Sequence, residues 1–479
     1  MKTVIIGNGI VALTIAFRLT QRANAADEIV IIGSHQRPSS ATLAAAAMLN
    51  SYAEIEAGSL DSELDRYRFE LSRNATAAWR SFEEELSASV GGDSRRFGAQ
   101  SAAGRVSRGT FIVNNTATDD LEDESFDAIV AALDHYQEPY QWVSPRDIPQ
   151  YNPRQRTRAL RAILIENEGW LNPRLTLEKL DFVLQQDVRV TVLDAEARRL
   201  LATDGRVSGA ELDDGTIVDG DRFLLAAGAT VSDILRASDL GLNVQRVFSG
   251  VGTSIEIKSP EFALSACIRT PNRGLACGVY SAPYPGAPGE DQDHVLIGAS
   301  NFISPDRVTR PRLSAVDNLL RNVIDQINSN YYRAELVRVN VGLRPSSQDT
   351  YPMLGQTEIP NFFIATGTKR DGFHLSPLIS TILADIMDGK AVDPRFSALR
   401  PDRPLIRALS RQQAIDKAVR HTINAAYQHG FAPPDGRLDD QIAKLHRDNF
   451  ERLHDQVGAH DWGIPPEMLD MYRYGHAVA

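Results

Sequence analysis

Arg344 ends an apolar run, Val339 to Leu343, and Pro345 follows it directly. A guanidinium is planar, permanently charged and able to grip a carboxylate with two parallel hydrogen bonds. Burying one without an anion is costly, so this strand end requires a partner. The spacing offers a ligand carboxylate or Asp349 and leaves both open. A second feature opens the chain: Gly7-Asn8-Gly9 with Ala12, the pattern G-x-G-x-x-A. The first glycine permits a tight turn, the second lets a pyrophosphate approach the backbone, and a small third residue lets helix pack on strand. A third feature is the charged triplet Lys369-Arg370-Asp371 ahead of Gly372, Phe373 and His374. His374 reads as a structural or steric group rather than a base.

Rigid elements must hold these residues. Val4 to Ile6 predicts a strand, Ile10 to about Arg22 a helix, and Ile29 to Ile32 a second strand. That is a β-α-β unit with parallel pairing, whose helix N-terminus turns free N–H groups toward phosphates. The acid that usually ends the second strand and binds ribose hydroxyls is absent. Gly33 stands there, so the ribose clamp is either missing or handed to Ser34. The small-residue stretch 37–50 either lets backbone pass beside a ligand or starts an alanine-rich helix. Asp61 to about Leu86 predicts a long helix, 110–115 a strand, and 168–185 a turn and helix with Pro173 near its start. Residues 188–229 predict a β-meander with turns at Asp204-Gly205 and Asp214-Gly215, ending in a buried strand, Phe223 to Ala226, before Gly228. Strands and turns alternate over 235–340 around one helix near 314–328. Residues 362–389 predict strand, glycine turn and helix, and a polar helical tail begins near 402.

Composition narrows the class. With 479 residues, 43% of them apolar, the chain can build more than one core and is not wholesale disordered. A net charge of −11 weighs against nucleic-acid binding. The two cysteines make neither a disulfide framework nor a CxxC pair, so a reducing, cytoplasmic compartment is expected. The N-terminus reads as a strand rather than a signal peptide, and no window of 18 apolar residues predicts a membrane span. Six of the ten histidines fall in 402–479, without HxxxH or HExxH spacing, so no metal site is expected.

GNGIVALTIAFRL, SSATLAAAAML, EGWLNPRLTLEKL, LLAAGATVSDIL, VGLRPSSQDTYPMLG and ATGTKRDGFHLSPLIS follow one another over roughly residues 1–395. In this order they resemble the motifs of the flavin-dependent D-amino-acid oxidase/glycine oxidase family. The resemblance implies an α/β (α+β) fold with a Rossmann-like FAD-binding domain assembled from 1–86, 151–234 and 341–400. A mostly antiparallel substrate-binding sheet would come from 87–150 and 235–340, and a helical extension, 401–479, lies beyond the resemblance. It implies FAD contacts at Gly7, Gly9, Ile10, Ala12, Ser34, Ser40, Ala47, Met48, Ala227, Gly228, Arg370, Gly372, Phe373, His374 and Leu375. FAD is expected to be non-covalent. Leu43 stands near the position where some relatives attach flavin through histidine, and no cysteine lies near 346–355.

The catalytic set implied is Arg344 and Tyr280 for the substrate carboxylate, with Tyr284 as the fallback if the register slips, and Arg370 near the reacting centre. Two positions depart from the family pattern: Ala47 replaces a usual glycine, and Asp371 stands where asparagine is more usual. Asp371 is expected either to pair with Lys369 or Arg370 or to recognise a substrate amine. The implied reaction oxidises the amine of a small amino or imino acid, gives an oxo acid and ammonia after hydrolysis of the imine, and reduces O2 to hydrogen peroxide. Other readings are the same chemistry on a larger secondary-metabolite or carrier-bound amine, a non-catalytic flavoprotein subunit, and a nicotinamide dehydrogenase, which the later motifs weaken. For the tail the choice is between solvated helix faces and a lid or dimerisation arm, anchored by Trp462, Tyr472 and Tyr474, through which a homo-oligomer would form.

Overall fold

Lys2–Ile6 and Glu28–Ile32 pair in parallel with the helix Ile10–Thr20 crossing between them, in a computed structural model that describes residues 1–91, 97, 106–115, 117–260, 263–275, 277–287, 289–298, 300–431 and 436–478. Six strands make this first sheet, in the order 353–356, 362–366, 222–225, 2–6, 28–32, 190–193. Met353–Gln356 alone among them runs antiparallel to its neighbour. Ile5, Leu224 and Phe363 point to one face, into a core shared with Leu13 and Phe17 of the first helix, Trp79 of Glu63–Val90 and Leu383 of Gly372–Met387. Val4, Phe223 and Phe362 point to the other, under a three-stranded meander. Both faces are covered, which is why these strands read as unbroken apolar runs.

The meander is Ala197–Thr203, Arg206–Leu212 and Ile217–Asp219. Asp204 (φ 52°) and Gly205 (φ 73°) make its first turn, the pair of positive φ values a two-residue hairpin needs. Val190–Leu193, grouped with the meander by sequence, instead closes the edge of the parallel sheet.

The second sheet has ten strands. Its spine is the long antiparallel pair Val247–Lys258 and Glu335–Ser347. Cys267–Arg269 pairs with Ser107–Asn114 in parallel. Met48–Leu49 and Arg161–Trp170, which fall in the segments assigned to the FAD-binding domain, pair in this sheet. Ala162 and Ile163 of the latter strand are buried in two separate cores. Periodicity alone cannot tell which sheet will receive such a strand. Residues 38–44 form turns rather than the start of a helix.

The C-terminal extension adds the helices Arg411–Gln428, Gly436–Val457 and Leu469–Arg473. Its apolar face packs on Phe248 of the second sheet through Ile415, Val419, Leu453 and Met468. Trp462 and Tyr472 are buried anchors, whereas Tyr474 is 67% exposed and anchors nothing. Two polar ties add to this packing: Arg403 forms an ion pair with Asp349, and Gln348 Nε2 donates to Tyr472 Oη at 2.8 Å. Among the described residues no helix is long and apolar enough to cross a membrane.

Candidate active site

The glycine motif forms a turn that only its residues allow. Gly7 has φ +122°, and a Cβ there would overlap the Ala226 carbonyl oxygen of the neighbouring strand. Gly9 caps Ile10–Thr20 with no side-chain cap and no acid in the first helical turn. A Cβ on Gly9 would meet only Thr42 Oγ1, at 3.5 Å. The Ile10 N–H donates to Thr42 Oγ1 at 3.2 Å, and no carboxylate opposes an anion at the remaining N–H groups of the helix end. At the missing ribose acid, a Cβ on Gly33 would lie 2.6 Å from Asn8 Cγ. Asn8 Nδ2 donates to the Ser34 carbonyl at 2.7 Å, and Arg37 Nε donates to the Asn8 carbonyl at 2.9 Å. The middle residue of the motif thus covers position 33, and a side chain there would require Asn8 to move.

One cavity of about 390 Å³ brings the separated motifs together. Gly7, Gly9 and Ile10 line it, with Ser34, Ser40, Ala47 and Met48, with Ala227 and Gly228, and with Tyr280, Arg344, Arg370, Gly372, Phe373 and His374. Ala12 does not. It is wholly buried beneath the helix, where its small size serves helix–strand packing. Leu375 faces a second cavity instead. The alanine-rich segment passes tightly under the arginine strand: a Cβ on Gly342 would come 2.7 Å from Ala44 Cβ and 3.0 Å from Ala41 Cα. Ala47 holds φ +48°, the left-handed region that favours glycine.

Arg344 is half-buried. Its Nη1 donates to the Ser300 carbonyl at 3.1 Å and to Asn301 Oδ1 at 3.2 Å. Among the described residues no carboxylate pairs with it. Asp349 is engaged elsewhere, by Arg403, by Gln245 Nε2 at 2.9 Å and by the Ile406 N–H at 3.0 Å, so the internal salt bridge is not formed. The guanidinium lies across Gly252, where a Cβ would overlap it. Tyr280 sits likewise over its cross-strand partner Gly298. Burial pushes the Tyr280 phenol up, which leaves it a neutral hydrogen-bonding group. Tyr284 packs under Arg174 and does not line the cavity.

The turn after Phe362–Thr366 carries the charged triplet. Lys369 takes φ +54°, its N–H donates to the Pro345 carbonyl at 2.8 Å, and its Nζ pairs with Glu467 of the extension at 2.7 Å. Arg370 lies 3.8 Å from Glu54 and 3.9 Å from Glu56, with a 3.5 Å contact to Asn272 Oδ1. The expected pairing of Asp371 with Lys369 or Arg370 is absent, because both cations are taken by other acids. His374 Nε2 meets Thr76 Oγ1 at 2.7 Å, its carbonyl accepts from Trp79 Nε1 at 2.7 Å, and burial pushes its imidazole down to about 4. Phe373 stacks on Trp79 with centroids 5.0 Å apart. His374 is a neutral, packed wall residue.

Sequence reasoning missed Glu54, Arg269, Asn272 and Cys277. Glu54, Arg269 and Cys277 line the same cavity, and Arg269 pairs with Glu54 and donates to Asn272 Oδ1 at 2.7 Å. Burial pushes the Glu54 carboxyl up, but the Arg269 and Arg370 charges and the hydrogen bonds from Asn272 and Arg269 carry it down to about 2. Arg269 ends the buried strand Cys267–Arg269, the same signal that marked Arg344.

Residues 2–386 match the family described as FAD dependent oxidoreductase, DAO. The chain belongs to the DAO family. It is 26% identical over 404 residues to a glycine oxidase of Geobacillus kaustophilus, covering 81% of this chain and 92% of that protein. It is 24% identical over 460 residues to a bifunctional ThiO/ThiG protein of Nostoc, covering 95% of this chain and 62% of that longer protein. In structure it resembles an iminodiacetate oxidase from Chelativorans (TM-score 0.68, 21% identity, 84% of this chain and 100% of the other). The glycine oxidase structure from Geobacillus kaustophilus is as similar (TM-score 0.68, 21% identity, 84% and 99%).

The cradle fits the DAO cofactor. The open helix end and Gly9 suit its pyrophosphate, and Ser34 is the cavity-lining hydroxyl beside the strand end where ribose binds in such folds. The acidic clamp on the ribose is the one missing part.

Proposed function

We propose that this chain is a cytoplasmic enzyme that oxidises the amine of a small amino or imino acid, using non-covalent FAD and O2. Arg344 carries the reading: a half-buried guanidinium in a cavity, with backbone and amide oxygens as its partners and, among the described residues, no carboxylate. A substrate carboxylate supplies the missing anion, and two charge-assisted hydrogen bonds orient it. Tyr280, neutral and buried, adds a phenol O–H donor. The same grip turns the α-carbon toward the cofactor, and His374 and Phe373 exclude water as packed walls. Bound in this cradle, FAD would supply the acceptor for a hydride from the α-carbon. Arg370, its charge shared with Glu54 and Glu56 at 3.8 and 3.9 Å, presents guanidinium N–H donors on the cavity wall toward negative charge developing during transfer. Water added to the imine product gives an oxo acid and releases ammonia from an amino acid, or the corresponding amine from an imino acid, and O2 would be the final acceptor, reduced to hydrogen peroxide. Two free, buried cysteines support the cytoplasmic placement.

The test is anaerobic bleaching of the purified holoenzyme by glycine, sarcosine, proline and D-amino acids, followed by peroxide measurement on admitting O2. Arg344→Ala should raise KM or lower turnover on every active substrate. Unchanged constants would remove the carboxylate role, and a flavin that no amine bleaches would favour a non-catalytic subunit. A second reading, the same chemistry on a larger amine, is favoured by a second cavity of about 270 Å³ beyond the charged turn.

A further inference from the structure

Glu54, Lys369, Arg370 and Asp371 line both cavities and form the partition between them. The second cavity is walled on one side by Lys417, His421 and Glu467 of the extension. Most charges here neutralise one another. Lys369 pairs with Glu467, Arg370 faces Glu54 and Glu56, Arg269 pairs with Glu54, Arg403 pairs with Asp349, and Arg68 lies 3.7 Å from Asp65. His421 is held neutral, pushed down to about 4 by burial. Asp371 is the exception at the partition. Its carboxylate makes no hydrogen bond or ion pair among the described residues, and although it precedes Gly372–Met387 its side chain does not cap that helix. In the first cavity, Arg344 and Asp371 are the half-buried charges left without an ion pair among the described residues. Glu196 also lacks one but is exposed to solvent.

The two unpaired charges serve different ends. After the burial that raises it, the Asp371 carboxyl feels Arg68, Glu54, Arg370 and Lys369, whereas Tyr280 feels Arg344 first. The charges that act on Asp371 are thus those of the partition and of Arg68 in the second cavity, and Arg344 is not among them. A carboxylate is also a poor companion for the reacting amine. It would hold that amine protonated, and an ammonium has no lone pair to assist hydride loss. Asp371 suits a cation that stays charged.

We infer that Asp371 receives a second, cationic group of the substrate, so that preferred substrates carry a carboxylate held by Arg344 and a distal ammonium or guanidinium held at the partition. This rests on the proposed role of Arg344. The test is to titrate the flavin absorbance of the holoenzyme with 6-aminohexanoate, hexanoate and adipate. None has an α-amine, so the titration reads binding alone. The expected result is that 6-aminohexanoate binds at least tenfold more tightly than hexanoate. Asp371→Asn should bring the two within twofold, and Asp371→Glu should keep part of the difference. Equal affinities, no binding by any of the three, tighter binding of adipate through Lys417, or a preference that survives Asp371→Asn would each overturn the inference. Bleaching by simple amines without a preference for 6-aminohexanoate removes the distal site and leaves the proposed function. The preference without bleaching by any amine does the reverse.

Discussion

Gly252 and Gly298 matter to the site as much as the side chains they make room for. Gly252→Ala should displace the Arg344 guanidinium without touching the glycine motif. Losing two charge-assisted hydrogen bonds of roughly 1.5–3 kcal/mol each predicts a fall of about 100-fold or more in kcat/KM for carboxylated amines. The FAD content should stay unchanged. Steady-state kinetics on flavin-normalised protein checks this, and a loss of bound FAD in step with activity would argue against it. Ala47 gives the opposite case, a residue under strain. At φ +48° it carries a penalty of roughly 1–2 kcal/mol that glycine avoids. Ala47→Gly should raise stability by about 1 kcal/mol, read as a higher denaturant midpoint at unchanged slope.

At the scale of elements, the extension reaches the charged turn through a half-buried ion pair. Glu467 holds Lys369 at 2.7 Å, while the Lys369 N–H holds Pro345 beside Arg344. The turn bearing Arg370 and Asp371 is thus clamped from the tail and from the arginine strand. Glu467→Gln should loosen it. The expected effect is FAD binding weakened by about tenfold, since one such pair is worth on the order of 1.4 kcal/mol once solvent screening is allowed for. Fluorescence titration of apoprotein measures it, and the double change with Lys369→Met should be less than additive.

This clamp marks the limit of what the chain discloses as a string. The β-α-β unit was legible because its glycines and apolar period are local. Arg344 was legible because a charge ending an apolar strand demands an anion, and the same rule applied to Arg269 would have found it. Glu54 was not legible. It sits on a single helical turn placed by buried Glu168, whose carboxylate accepts the Ser51 and Tyr52 N–H groups from far along the chain. Nor was Arg403, which takes the acid that the spacing offered as an internal partner for Arg344. Such partners depend on how the two sheets and the tail close on each other, which no local pattern encodes.

For the whole molecule, acid should act through the two cavities. Burial pushes His374, which faces Glu54, and His421, which faces Glu56, Lys417, Glu467 and Lys369, down to about 4 each. An unfolded histidine titrates near 6.5. Between those values the unfolded chain binds protons that the fold refuses, so stability falls as pH drops from 6.5 toward 4. Each group accounts for about 3 kcal/mol by the lower limit. Glu54 and Glu467 act in a lower window. Both sit near 2 in the fold against 4.5 in the reference state, so their stabilisation is present above 4.5 and lost as pH falls toward 2. The histidine window therefore comes first. Tm should fall by about 6 °C between pH 7 and pH 4, and His421→Gln should flatten roughly half of that slope. A Tm constant from pH 7 to 5, in wild type, would mean that these imidazoles titrate normally. His374 lines the first cavity and His421 the second. Protonation is thus opposed at the walls of the site itself, and flavin release should follow the same pH curve as the loss of Tm rather than lag behind it.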